Sequence, residues 1–464
     1  MSLEMSTLVS FAKTKGFVYQ GSEIYGGLAN SWDYGPLGIL LKENIKNLWI
    51  REFVQKRRDM VLLDAAIMMN PSVWIASGHV GSFSDPLMEC KDCHTRHRAD
   101  KLIEEKLEKD SAFPVPQNWA GDKTSLEDLN NYIAAGHIEC PNCGAKHWWD
   151  VKRFNLMLST HQGTTEDAAA LVYLRPETAQ GIFVNFPNIA RSSRKKLPFG
   201  VAQAGKAFRN EITPKNFIFR TREFEQIEIE YFCKPGTDAE NFETWLGEEE
   251  RFFVEVLGFA REKVRFVEIS AEGLPHYSKR AGDFEYEFPF GWGEISTLAN
   301  RTDYDLKAHM SESGQDLSYF DPFDNTKYVP YVIEPSIGLS RLTLAAMCDA
   351  YDEVTTEEGS RVVMRFAPAV APMKVGVYPL VKKFIPQAEE LYSLLSTHFM
   401  CDYDEAGTIG KRYARADEMG VPYAICVEPE NYDAWQVTVR DRDTGEQETV
   451  KITDLVAWLQ SKGC

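Results

Sequence analysis

The sequence predicts an α/β chain: an α+β core on a largely antiparallel sheet flanked by helices, an inserted cysteine module, and a C-terminal α/β domain. Three observations carry this. Between 150 and 366, strand-like runs (LVYLRP, GVAQAGKAFRNE, EFEQIEIEYF, YVPYVIEPS) alternate with helical ones (NFETWLGEEERFFVEVLG, GLSRLTLAAMCDAYDE), and two strands joined by one loop pair antiparallel. Two CxxC pairs, at 90–93 and 140–143, bracket a stretch with two helix-forming pieces, ADKLIEEKLEKD and SLEDLNNYIAAG. Beyond the Pro-interrupted APAVAPMK at 367–374, strands and helices alternate in βαβαββ order and end in a helix, VAWLQSKG. The division is therefore 1–89 with 144–366 as one domain, 90–143 as the insertion, and 367–464 as the last domain.

The composition suits a globular protein: 464 residues, 44% hydrophobic and 26% charged. No signal-like segment opens the chain and no run of 18 apolar residues occurs, so a cytoplasmic protein away from membranes is expected. Nine cysteines are an odd count and argue against a disulfide framework. The net charge of -18 repels phosphate, so any nucleic acid must be met by local basic patches.

Residues 1–35 read as turns and short strands leading to Pro36 at a helix start. Leu37, Leu41, Ile45, Leu48, Trp49 and Phe53 then form one apolar helix face, ending in Lys56, Arg57 and Arg58. The following MVLLDAAIMMNP reads as a buried strand closed by Pro71.

The segment 208–230, FRNEITPKNFIFRTREFEQIEIE, reads as a hairpin. By the period of two, Arg209 and Glu211 share one face, and Phe224, Gln226, Glu228 and Glu230 share one face of the returning strand, opposite Ile227, Ile229 and Tyr231. A guanidinium that forks onto phosphate, a ring that stacks on a base and carboxylates that accept from an amino group suit a nucleotide beside an ammonium-bearing substrate. Lys215, Arg220 and Arg222 add cations in the loop. A solvated ribbon alternates in the same way, so periodicity alone leaves both readings open.

This hairpin resembles motif 2 of the class II aminoacyl-tRNA synthetases: F-R-x-E, a variable loop, then an arginine shortly before an adenine-stacking phenylalanine. Residues 37–71, with Pro71, resemble motif 1 and imply a homodimer. VIEPSIGLSRLTLAA resembles motif 3, with Gly338 and Arg341 at its signature positions. Glu294 in GWGEIST resembles the position that holds Mg²⁺ against the phosphates, an oxygen ligand such as that ion prefers. Together with LRPETAQGIFVNF (174–186), these segments resemble the homodimeric glycyl-tRNA synthetases over nearly the whole chain.

The resemblance implies that ATP, as substrate, meets Arg209, Asn210, Glu211, Phe219, Arg220, Thr221, Arg222, Glu223, Phe224, Glu294, Ile295, Gly338, Leu339, Ser340 and Arg341. Arg209, Glu294 and Arg341 would be catalytic. It implies a glycine site of Arg98, Glu177, Phe224, Glu225, Gln226, Ile227, Glu228, Glu334, Pro335, Ser336, Ile337 and Gly338. Glycine offers only an ammonium and a carboxylate, and a small pocket rejects larger side chains sterically. Glycyl-adenylate would form first, and tRNA(Gly) would then receive the glycine. No Ser/His/Asp or Cys/His constellation is expected.

Cys90, Cys93, Cys140 and Cys143 have the local spacing of two zinc knuckles, with free thiols as the alternative. The 46 residues between the pairs require the insertion to fold back on itself. By resemblance, 371–464 is an anticodon-binding domain. It holds 10 Lys and Arg against 15 Asp and Glu, so contact with tRNA falls to a patch such as Lys411, Arg412 and Arg415. A carrier-protein ligase would lack that domain, and a non-enzymatic accessory subunit would have lost the ATP residues. A zinc nucleic-acid-binding protein would be basic.

Overall fold

The computed structural model describes every residue except 1–2, 111, 165–169, 213–215, 272, 276 and 357–358. Lys215 therefore lies outside the described residues. The central sheet has seven strands: β1 (Met60–Leu62), β2 (Phe199–Phe208), β3 (Glu223–Cys233), β4 (Val264–Glu268), β5 (Arg280–Phe288), β6 (Gly291–Thr302) and β7 (Tyr331–Gly338). Their order across the sheet is β4-β5-β6-β7-β3-β2-β1, and every pair is antiparallel except β1 with β2. Five helices matter to the site: α1 (Pro36–Ile50), α2 (Ala179–Ser193), α3 (Asp238–Arg251), α4 (Tyr304–Ser313) and α5 (Leu339–Ala350).

Alternation along the strands divides the sheet into two faces. Ile227, Ile229 and Tyr231 of β3, Ile333 and Ile337 of β7 and Leu298 of β6 point to one side. There they join α1, α3 and α5 in the main core, with Trp49, Phe53, Trp245 and Phe252. On the other side α2 and α4 cover one end of the sheet through Phe183, Phe186 and Leu306, packed on Phe199, Val201 and Phe232. The rest of that face stays open, and the polar strand residues point into the opening.

The N-terminal expectations need two corrections. Met5–Lys15 is a helix rather than turns: Leu8 and Ala12, four apart, bury one face, and Gly16 ends the helix at φ 81°. Pro71 does not close a strand. It starts the helix Pro71–Ala76 from the first-turn position that suits it, with the Asn70 side chain accepting from Ser72 N–H at 2.9 Å. The strand itself is only Met60–Leu62. It sits at the sheet edge, where Leu62 is 52% exposed.

The insertion folds around a core of its own, in which Cys90, Ile103, Leu129, Ile133, Cys140 and Trp148 are buried. That core reaches Met88 and Val151, slightly beyond 90–143. Both predicted helices form, at Ala99–Lys109 and Leu126–Ala134, the second capped by Ser125. The C-terminal sheet is ordered 401–403, 375–379, 423–427, 436–441, 447–451; its first three strands are parallel and the rest antiparallel. Its last strand, QETVK, is polar and went unread because it lies at an edge.

Candidate active site

One cavity of about 260 Å³ opens on the uncovered face, lined by β3, β6, β7, the β2–β3 loop and the start of α5. At one end lie the groups suited to a nucleotide. The Arg209 guanidinium sits between the rings of Phe83 (5.4 Å) and Phe224 (5.3 Å), with Nε donating to Pro176 O at 3.0 Å. Arg341, in the first turn of α5, covers the Phe219 ring at 4.5 Å. It donates to Phe219 O at 3.1 Å and pairs with Glu294 at 2.8 Å. Two arginines facing aromatic rings bring together cations and flat faces of the kind that suit a base and its phosphates. Glu211, Arg220, Thr221, Gly338 and Ser340 also line it.

A β-bulge shapes this end. Glu285 faces Glu294 and Phe284 faces Ser296, so Ile295 is the extra residue. The bulge lets Glu294 and Thr297, three apart, both line the cavity while Ile295 and Ser296 are buried.

The other end is acidic. Glu177, Glu228 and Glu334 line it with Gln226, Ser336, Tyr277 and Arg301. Glu334 accepts from Arg301 Nη1 on both oxygens, at 3.0 and 2.9 Å. The other edge of the guanidinium forks onto Asp305 through Nε and Nη2, both at 2.8 Å. Burial opposes the charge of Arg301, but Asp305 and Glu334 hold its pKa well above the ordinary value. The Thr178 hydroxyl donates to Glu228. Glu177 accepts from Gln180 Nε2 at 2.9 Å and faces His79 Nε2 at 3.3 Å. Burial would raise the Glu177 carboxyl, yet His79, Arg301 and the Gln180 amide hold it well below the usual range.

Not every expected residue belongs to the cavity. Ile227, Pro335, Ile337, Ile295 and Leu339 are buried and absent from its lining, the isoleucines and Leu339 being part of the main core. Glu225 lines the rim, but its carboxylate is held by Lys42 of α1. Glu223 is exposed and paired with Lys206, Arg222 donates to Glu211 O at 3.2 Å, and Asn210 lies outside the lining. Arg98 is braced between Asp85 (2.9 Å) and Asp100; it lines a second cavity of about 330 Å³ beside Phe219, Arg220 and Trp292.

Conversely, Arg301, Asp305, His79, Thr178 and Gln180 build this end although no motif of the sequence singles them out. The one local signal was the Arg301–Asp305 spacing of four.

Elsewhere, the four cysteines do converge, their Sγ atoms all within 4.8 Å of one another. Cys90 meets Cys143, and Cys93 meets Cys140, each at 3.6 Å. In the C-terminal domain Lys411 is exposed and Arg415 partly so, its Nε on Asp404 at 2.7 Å. Arg412 is a correction: it is 5% exposed and donates to Pro379 O, Glu405 O and Gly407 O, so it braces the domain instead of facing solvent.

A largely antiparallel sheet that sets a hairpin arginine and a helix-start arginine at one end of a cavity and carboxylates at the other has the arrangement of a class II aminoacyl-tRNA synthetase core. Residues 164–351 match the family described as "tRNA synthetase class II core domain (G, H, P, S and T)", and residues 374–462 match "Anticodon binding domain". The chain is 55% identical to a glycine--tRNA ligase of Clostridium acetobutylicum, over 99% of this chain and 98% of that one. It is 54% identical to those of Acetivibrio thermocellus and Clostridium tetani over the same shares. The chain belongs to the glycine--tRNA ligase family.

Proposed function

We propose that the cavity binds ATP at its arginine end and glycine at its acidic end, and that the two react where the ends meet. The observation that carries this is the presence in one cavity of Arg209 and Arg341 facing aromatic rings and of Glu177, Glu228 and Glu334 around a space closed by Arg301. Carboxylates that already accept hydrogen bonds and keep free lone pairs suit an ammonium group. The glycine carboxylate oxygen attacks the α-phosphorus, the bond to the bridging oxygen breaks, and pyrophosphate leaves. Arg209 and Arg341 offset the charge that develops, and fixed geometry supplies much of the rate. The terminal ribose hydroxyl of tRNA(Gly) then attacks the carbonyl carbon of the adenylate, and AMP leaves. The carboxylate of Glu294, at the mouth with a 45% exposed side chain, suits Mg²⁺, which would neutralise the phosphates when bound.

ATP/pyrophosphate exchange against all twenty amino acids tests the reading. Glycine alone should support exchange, and Arg209→Ala should lower it by roughly a hundredfold or more. Exchange with alanine or serine in place of glycine would overturn the specificity.

Four thiolates with sulfurs 3.6 Å apart in pairs fit a tetrahedral zinc, whose ~2.3 Å bonds require sulfurs roughly 3.8 Å apart. Cys90, Cys93, Cys140 and Cys143 would hold it, and it would tie the two ends of the insertion together. A homodimer is supported by exposed apolar side chains near the N-terminus, Ile24 at 89% and Tyr25 at 86%. Lys411 and Arg415 would meet tRNA. No helix among the described residues is long and apolar enough to cross a membrane, and we assign the enzyme to the cytoplasm. Residues 1–89 with 144–366 act as the catalytic domain and 367–464 as the anticodon-binding one.

A further inference from the structure

Glu230 has no part in the reaction above and does not line the cavity, yet it is buried directly behind the carboxylates of the acidic end. It lies two residues beyond Glu228 on β3, so both point to the cavity face. It is wholly buried, and neither carboxylate oxygen has a hydrogen-bond partner among the described residues. Oxygens of Glu228, Glu230 and Glu334 lie within 4.8 Å of one another.

The charged groups that face it are Glu228 on its own strand, Glu334 on β7, Arg301 on β6 and Asp305 on α4. Their hydrogen bonds are unequally shared. Glu334 takes two from Arg301, Asp305 takes two more from the same guanidinium, and Glu228 takes one from Thr178. Four of the five N–H bonds of Arg301 are thereby committed. Glu230 receives none. A carboxylate without a donor, away from water and beside two other carboxylates, is unstable as an anion and stable as an acid.

We propose that Glu230 is a positioning residue held as a neutral carboxylic acid, whose O–H faces the Glu228 and Glu334 carboxylates that receive the incoming ammonium. This rests on the reading of the cavity as the glycine site. Burial, then the Glu334 and Glu228 charges, push the Glu230 acid well above the usual carboxylate range. Burial and the Glu228 and Glu177 charges push Glu334 well above that range too, against the pull of Arg301, but Glu334 takes two bonds from that guanidinium and Glu230 takes none, so of the two it is Glu230 that carries the proton. Three ionised carboxylates would otherwise crowd around one guanidinium that already serves Asp305.

Infrared difference spectra of the substrate-free enzyme against Glu230→Gln at neutral pH are the direct test. The wild type should show a carboxylic-acid carbonyl band that the variant lacks, and any other buried acid cancels in the difference. The measurement needs no glycine, so it can fail while the glycine reading stands, and absence of glycine-dependent exchange would fail that reading alone. In kinetics, Glu230→Gln still offers a donor to the two carboxylates and should keep the glycine KM within about threefold. Glu230→Leu should raise it about tenfold or more with the ATP KM unchanged. No band lost on Glu230→Gln, or a glycine KM raised by that variant as far as by Glu228→Gln, overturns the proposal.

Discussion

Gln180 shows how single side chains set the acidic pocket. Its Oε1 accepts from His309 Nε2 at 2.8 Å, so its Nε2 must aim its two hydrogens at Glu177 (2.9 Å) and Asp305 (3.0 Å). Burial pushes the His309 pKa down against the pull of Asp305, so the ring is neutral at pH 7 and its Nε2–H is the donor. The Asp305 branch ends on Arg301, which forks onto Asp305 through Nε and Nη2 and reaches Glu334 through Nη1. A lysine has no such fork. Arg301→Lys should therefore leave one buried carboxylate without its partner, a loss of about 3 kcal/mol or roughly a hundredfold in kcat/KM for glycine. The ATP KM should change little, because Arg209 and Arg341 are untouched. Steady-state exchange with each substrate varied in turn separates the two, and an equal loss for ATP would count against the division of the cavity. The sequence carried the ATP end more fully than this end. Arg209, Phe224 and Arg341 stand in local patterns, whereas His79, Gln180, Arg301 and Asp305 come together only through folding.

At the scale of elements, the misplaced residues share a cause. The resemblance implies contiguous windows such as 225–228 and 334–338 for the glycine site, but a strand presents alternate residues to one face, so the Ile227 and Ile337 side chains lie in the core. The bulge at Ile295 breaks that alternation, and nothing in GWGEIST announces it. Helix α3 supports the same region from behind. The Ser296 hydroxyl lies 2.5 Å from Glu249 Oε1 and 3.0 Å from Ser336 O, and one hydroxyl has one hydrogen. With Glu249 protonated, its O–H donates to Ser296 and Ser296 donates to Ser336. Burial, opposed only by Ser296, pushes this acid up to about 8. Its folded pKa lies above the unfolded value, so the stability it contributes is complete below the usual carboxylate range and is lost as pH rises towards 8. The loss is at most about 1.4 kcal/mol per pH unit. Glu249→Gln should remove that slope, so its melting temperature should gain on the wild type between pH 5.5 and 8; parallel curves would show that Glu249 is ionised throughout. The insertion makes a second prediction. Cys140 is buried in a small core separate from the main one, so a zinc held by the four cysteines, as proposed above, should contribute strongly to the stability of the insertion. A strong chelator should lower the melting temperature and release zinc, and cobalt replacement should give thiolate charge-transfer absorption; neither change would leave the thiols free.

Over the whole molecule the difficulty is charge. A chain of net charge -18 whose C-terminal domain is itself acidic must hold a polyanion through few contacts. The sequence pattern KRYAR offered three cations on one helix, but folding removes one of them. Arg412 turns inward to three carbonyl oxygens, and Arg415 is partly neutralised by Asp404. Lys411 is left as the exposed cation of that helix turn. The two sites therefore separate cleanly by mutation. Lys411→Glu should weaken tRNA charging while leaving glycine-dependent exchange within about twofold, since the active site lies in another domain. If Lys411 meets a phosphate, Lys411→Ala should also flatten the salt dependence of charging by about 0.7 to 0.9 in the slope of log(kcat/KM) against log salt. Arg412→Ala should behave differently. It removes the donor shared by the Pro379, Glu405 and Gly407 carbonyls, the first of them buried, so the expected effect is a lower melting temperature of the C-terminal domain. A variant at Lys411 that loses charging and exchange equally would place that lysine's role in folding and move the tRNA contact elsewhere on the domain.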